Sequence, residues 1–149
     1  MTVRVVYSTD DDLLKIRPNI LDLGVSEWVE QHKEAFSIIN RALIARWYKS
    51  VAAENEVDWT TTEFDADLVD ISQVLRLSCY KTLELAYIYL TQDSPNPGGF
   101  EREAEAFARR YNSELSEVLA IGLNYDWDED DTFDDSEKYQ QPMRRLKRC

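Results

Sequence analysis

From residue 27 to residue 53 apolar side chains return every three or four positions. Val29, Phe36, Ile39, Leu43, Trp47 and Val51 fall on one side, with Glu27, Glu30, Glu34, Ser37 and Arg41 opposite. This spacing predicts an amphipathic helix, entered through Ser26 as its N-cap and buried along one stripe. Between Asp67 and Thr91 the pattern changes in kind. Leu68, Val69, Ile71, Val74, Leu75, Leu77, Tyr80, Leu83, Leu85, Tyr87, Ile88 and Leu90 cover most of a helix circumference. Such a helix must be buried on several sides, as the central member of a bundle or beneath a neighbouring subunit. A third long helix is predicted from Phe100 to Gly122, with Phe100, Ala104, Phe107, Tyr111, Leu115 and Val118 inward and glycine as its stop.

The segments between these helices are equally informative. Ser8 or Thr9 caps a short helix whose first turn holds Asp10, Asp11 and Asp12, where carboxylates meet the positive end of the helix dipole, and Pro18 ends it. Residues 92–99, with Pro95, Pro97, Gly98 and Gly99, read as a loop. The polar connection 54–66 leaves room for a short extended stretch at Val57, Trp59 and Phe64, and residues 1–7 are β-prone, as a paired edge or a frayed end. The predicted fold is mainly α: a helical bundle of about four helices over 1–125, an acidic loop over 126–137 and an extended basic C-terminal docking arm over 138–149. Four glycines and four prolines are too few for an all-β chain rich in tight turns.

Charge divides this chain more sharply than its total suggests. Seventeen Lys and Arg stand against 29 Asp and Glu, but residues 138–149 hold Lys138, Arg144, Arg145, Lys147 and Arg148 and no acid. The first 137 residues therefore carry 12 cations against 29 acids, a net charge of −17. Duplex DNA is bound by cations that displace condensed counterions, so a body of this charge is a poor ligand for it. The last segment adds Pro142, Met143 and Leu146 to Arg144, Arg145 and Arg148. Such a sequence suits a protein surface, with Leu146 as anchor and arginines paired to carboxylates. No apolar run approaches the ~18 residues of a membrane span, and no signal-like start is visible, so a membrane or secreted location is not expected.

Catalytic patterns are missing. There is no Gly-x-Ser-x-Gly elbow, no dinucleotide or phosphate loop, and the one histidine, His32, lies on the polar flank of the 27–53 helix and reads as a surface residue. No enzyme activity and no cofactor are expected. Two cysteines, Cys79 and Cys149, with one histidine do not fill a structural zinc site. The acidic run is the one metal candidate: Asp126, Asp128, Asp130 and Glu137 occupy positions 1, 3, 5 and 12 of a calcium loop, with Asp131 where the sharp turn calls for glycine. Eight of those twelve positions are acidic, so a solvated connector explains the same window. A calcium-binding interaction module built on 126–137 is the alternative function.

Several pieces together resemble the head-to-tail connector (adaptor, or head completion) proteins of tailed bacteriophages. They are Asp12-Leu13-Leu14 in a short first helix, three longer helices, Gly122-Leu123-Asn124-Tyr125-Asp126-Trp127-Asp128, the acidic loop, and Arg145-Leu146-Lys147-Arg148. The resemblance spans nearly the whole chain and implies a ring subunit, usually one of twelve. Such a ring sits in the virion neck beneath the portal protein, is assembled in the host cytoplasm, and carries a stopper or tail-terminator protein below. It implies DNA only as the transiting genome, no membrane, and a C-terminal segment reaching into neighbouring proteins. Members often have glycine where this chain has Asp131.

Overall fold

The computed structural model describes residues 3–133. Four helical rods form it: α1 (Asp10–Leu14), α2 (Val29–Leu43) running through a π turn (Ile44–Tyr48) into α3 (Lys49–Glu54), α4 (Ile71–Asp93) and α5 (Gly98–Ile121). Single 3-10 turns occupy Ile20–Asp22 and Ala66–Leu68. The chain is mainly α, as its periodicity predicts; among the described residues there is no strand, and an isolated antiparallel bridge joins Val69 and Tyr125. No helix among them is long and apolar enough to cross a membrane.

α4 is the central rod, packed along α5 on one side and α2 on the other, with α1 against it. Val74 and Leu77 join one core with Ile39, Leu43, Trp47, Val51, Leu115 and Leu123. Further along, Leu83, Ala86, Tyr87 and Leu90 join a second with Leu13, Ile20, Trp28 and Phe107. The chain itself therefore covers most of α4's apolar circumference, leaving Ile71, Ile88 and Tyr89 exposed. Each fully buried large side chain contributes roughly 1.5–3 kcal/mol, and α4 holds several.

Local chemistry sets the helix ends. Asp70 caps α4 by accepting from the Ser72 amide at 3.1 Å. The Asp12 carboxylate accepts from the Thr9 amide at 2.9 Å, tying the first turn of α1 to its cap. Gly122 stops α5 with φ +102°, where a side chain would be strained, and its amide donates to the Val118 carbonyl at 3.0 Å.

The entry to α2 departs from its pattern. The helix begins at Val29, which is exposed, while Trp28 is fully buried. The carboxylate of Asp10 on α1 accepts from the Trp28 amide at 3.3 Å, so the cap comes from another element and Ser26 is not the N-cap. The 54–66 connection is bends and turns rather than an extended stretch: the Thr62 amide donates to the Asp58 carbonyl at 2.8 Å, Trp59 is exposed, and Phe64 packs on the core. Among the described residues, 3–7 pair with no strand. Arg4 holds this segment down through its amide to Asp67 at 2.7 Å and its guanidinium to the Ala66 and Val69 carbonyls at 2.8 and 3.0 Å.

Candidate functional site

Residues 122–127 form the root from which the chain leaves the bundle. The Gln73 side chain donates to the Gly122 carbonyl at 3.0 Å and accepts from the Asn124 amide at 2.6 Å. The Asp70 amide donates to the Asn124 carbonyl at 3.1 Å, and the Asp126 amide to the Leu68 carbonyl at 2.9 Å. Every one of these bonds fixes backbone, so the segment is held against the N-terminal end of α4.

Aromatic side chains complete the hold. Trp127 stacks on Tyr48 at 6.0 Å with an interplanar angle of 7°, lies 6.0 Å from Trp47 and 4.5 Å from Tyr125. Phe64 stacks on Tyr125 at 5.7 Å, and the Tyr125 hydroxyl accepts from the Asp65 amide at 3.0 Å. Burial raises the Tyr125 hydroxyl far above its usual range, so it stays protonated. The π turn carries both Trp47 and Tyr48, adjacent in sequence and both buried. Such insertions change the helix phase and cluster at functional positions.

Beyond Trp127 the acidic loop folds on its own first carboxylate. Buried Asp126 accepts from the Asp130 amide at 3.2 Å and the Asp131 amide at 2.8 Å. Asp130 accepts from the Thr132 amide at 2.9 Å and hydroxyl at 2.8 Å, bonds that hold its carboxyl below the ordinary range. Carboxylate oxygens of Asp126, Asp128 and Asp130 come within 4.8 Å of one another, and Asp131 adopts φ +64°, the left-handed backbone that glycine supplies in a calcium loop. Calcium takes six to eight oxygens, of which these three side chains offer a part. Glu137, the expected fourth ligand, lies outside the described residues, as do the expected partner-binding residues Pro142, Met143, Arg144, Arg145, Leu146 and Arg148.

His32 is buried, not a surface residue. Its Nδ1 is 2.7 Å from the Ser8 hydroxyl and 3.4 Å from that of Thr82, and its Nε2 is 3.0 Å from the Asp10 carboxylate. Ser8 also meets the Ser78 hydroxyl at 2.7 Å. Serine, histidine and aspartate in this order match the composition of a hydrolytic triad, which sequence reading missed because Ser8 and Ser78 are remote from His32 along the chain. The serine, however, is sealed: Ser8 is 3% exposed and Ser78 and Thr82 are 0%. A nucleophile must reach a substrate carbonyl within about 3–3.5 Å, and this hydroxyl is surrounded by protein. The network instead ties the N-terminal segment, α1, α2 and α4 together. Burial lowers the His32 pKa against the opposing pull of Asp10, keeping the ring neutral near pH 7. Burial pushes the Cys79 thiol up to about 12, so it carries no thiolate near neutrality.

No protein-family model, no curated protein and no solved structure matches this chain.

Proposed function

We propose that the chain is a structural subunit of a tailed-phage virion, one copy of an adaptor ring that joins the portal protein of the DNA-filled head to the stopper or tail-terminator protein below. The observation that carries this reading is the fixed root at 122–127. Hydrogen-bonded backbone and an aromatic cluster hold the chain to an acidic body, ten residues ahead of the basic segment. A segment rooted in this way presents Met143, Leu146 and the arginines from a defined point, which suits docking on a neighbouring protein. Exposed Ile71, Ile88, Tyr89 and Ile121 supply further apolar area for such contacts.

Acidic walls also suit a channel for DNA. Carboxylates facing the bore repel phosphates, so the genome passes without adhering. The body's net −17 opposes closure of a stable ring from dilute copies alone, so the ring is expected to close on the portal, and the resemblance implies twelve copies in the virion.

Imaging of purified particles tests the reading. The expected result is a ring of this chain between portal and tail. Particles that lack the chain, or carry it elsewhere than the neck, overturn it. A calcium-binding module on 126–137 is the competing reading, and melting in calcium and in chelator separates the two.

A further inference from the structure

Between α4 and α5, towards the end of the hairpin that carries the 94–97 turn, the surface holds a hollow of about 370 Å³. Its floor is apolar: Ile88, 44% exposed, beside the small side chains of Ala104 and Ala108. Around it stand Glu84, Glu101 and Glu105, and no Lys or Arg lines it. Glu84 is held by Lys81. Glu101 and Glu105 join no ion pair among the described residues.

An apolar floor with an acidic rim calls for an apolar side chain flanked by cations. The chain contains one such stretch outside the described residues: Met143-Arg144-Arg145-Leu146-Lys147-Arg148. We propose that this hollow receives residues 143–148 of a second copy of the chain, with Leu146 on the Ile88 floor and arginines against Glu101 and Glu105.

Charge permits a second copy as the occupant: bodies at −17 repel each other, and the cationic segment offsets that repulsion where it meets the acidic rim. Reach permits it. The root is held at the opposite end of the hairpin from the hollow, roughly 26 Å along α5 at 1.5 Å per residue, while the thirteen residues 134–146 can span at most ~43 Å. Naming a second copy rests on the ring reading.

Benzophenone maleimide coupled to Cys149 of the full chain, with buried Cys79 spared, tests the contact. Irradiation of a concentrated, low-salt sample is expected to give covalent dimers whose adducts map to the Glu84–Gln92 and Glu101–Ala108 stretches. Ile88→Asp places a carboxylate on an exposed position and should cut dimer yield by about fivefold or more. Glu101→Lys with Glu105→Lys should do the same by reversing the rim, as should about 0.5 M salt. Adducts scattered over the surface, adducts within one chain only, or yields unchanged in both variants overturn the proposal. Neck rings that still form with Ile88→Asp chains also count against the hollow but leave the adaptor reading standing. A chain absent from particles defeats the adaptor reading, and the photoadducts then judge the copy-to-copy contact separately.

Discussion

Replacing His32 by leucine separates a buried polar hub from a surface histidine. In the folded chain the imidazole bonds Ser8 at 2.7 Å and Asp10 at 3.0 Å. His32→Leu removes both bonds and the 3.4 Å contact with the buried Thr82 hydroxyl, while Ser8 keeps Ser78 and Asp10 keeps the Trp28 amide. The loss is therefore that of two hydrogen bonds and one long contact without a stranded charge, about 1–3 kcal/mol at pH 7.5. The pH dependence gives a stricter test. Burial lowers the folded-state pKa of His32 below its ordinary value of 6.5. Above 6.5 the ring is neutral folded and unfolded, and its contribution is whole. As pH falls below 6.5 the unfolded chain takes up a proton that the folded chain does not, so that stability is lost, by up to about 1.4 kcal/mol per pH unit. Urea unfolding of both chains between pH 7.5 and 5.5 reads this directly, because the many carboxylates contribute alike to both. The advantage of the wild-type chain should shrink as pH falls. An advantage that stays constant or grows would mean that His32 is solvated or is protonated against Asp10, and would refute the buried hub.

Trp127→Ala should cost about 2–3 kcal/mol in chemical denaturation, below the cost of a fully buried tryptophan because the side chain is only half-buried against Tyr48 and Tyr125. No measurable change would mean that the aromatic root does not hold. Millimolar calcium should leave the melting temperature within about 1 °C of its value in chelator, since the Asp126 carboxylate is already satisfied by two backbone amides. A rise of several degrees would establish the acidic loop as a calcium site.

Where a residue's role is set by its own turn of chain, the sequence was readable. Periodicity located the three long helices and Pro95 and Pro97 marked the loop, but that loop is only 94–97, because Gln92 and Asp93 continue α4 and Gly98 and Gly99 already belong to α5; Gly122 supplied the stop through its positive φ. The errors came where the partner is far away. Trp28 is buried and Val29 exposed because Asp10 on another helix caps α2 at Trp28, shifting its entry from Ser26. His32 has polar neighbours along its own helix but meets Ser8, Ser78 and Thr82 across the fold. No local signal marks the π turn at Ile44–Tyr48, which is visible only from the cluster its aromatics build. The alternation of Val57, Trp59 and Phe64 suggested extension, yet those residues serve separate ends: Trp59 lies under Lys49, and Phe64 joins Tyr125. Of the acidic loop, the turn-forming Asp126 and Asp131 are described, whereas Glu137 and the docking residues are outside the described range.

Under the proposed adaptor reading, removal of residues 138–149 from the chain in particles that carry it tests the docking claim most directly. Holding twelve residues in place costs roughly 1–2 kcal/mol each in backbone entropy, so surface charge pairs alone are too weak and apolar burial must contribute. The account predicts that the shortened chain folds and melts like the full one, while filled heads and tails accumulate unjoined. It also predicts that Leu146→Asp reproduces this block and Lys147→Ala does not. Normal yields of infectious particles from the shortened chain, or its failure to fold, would contradict the account.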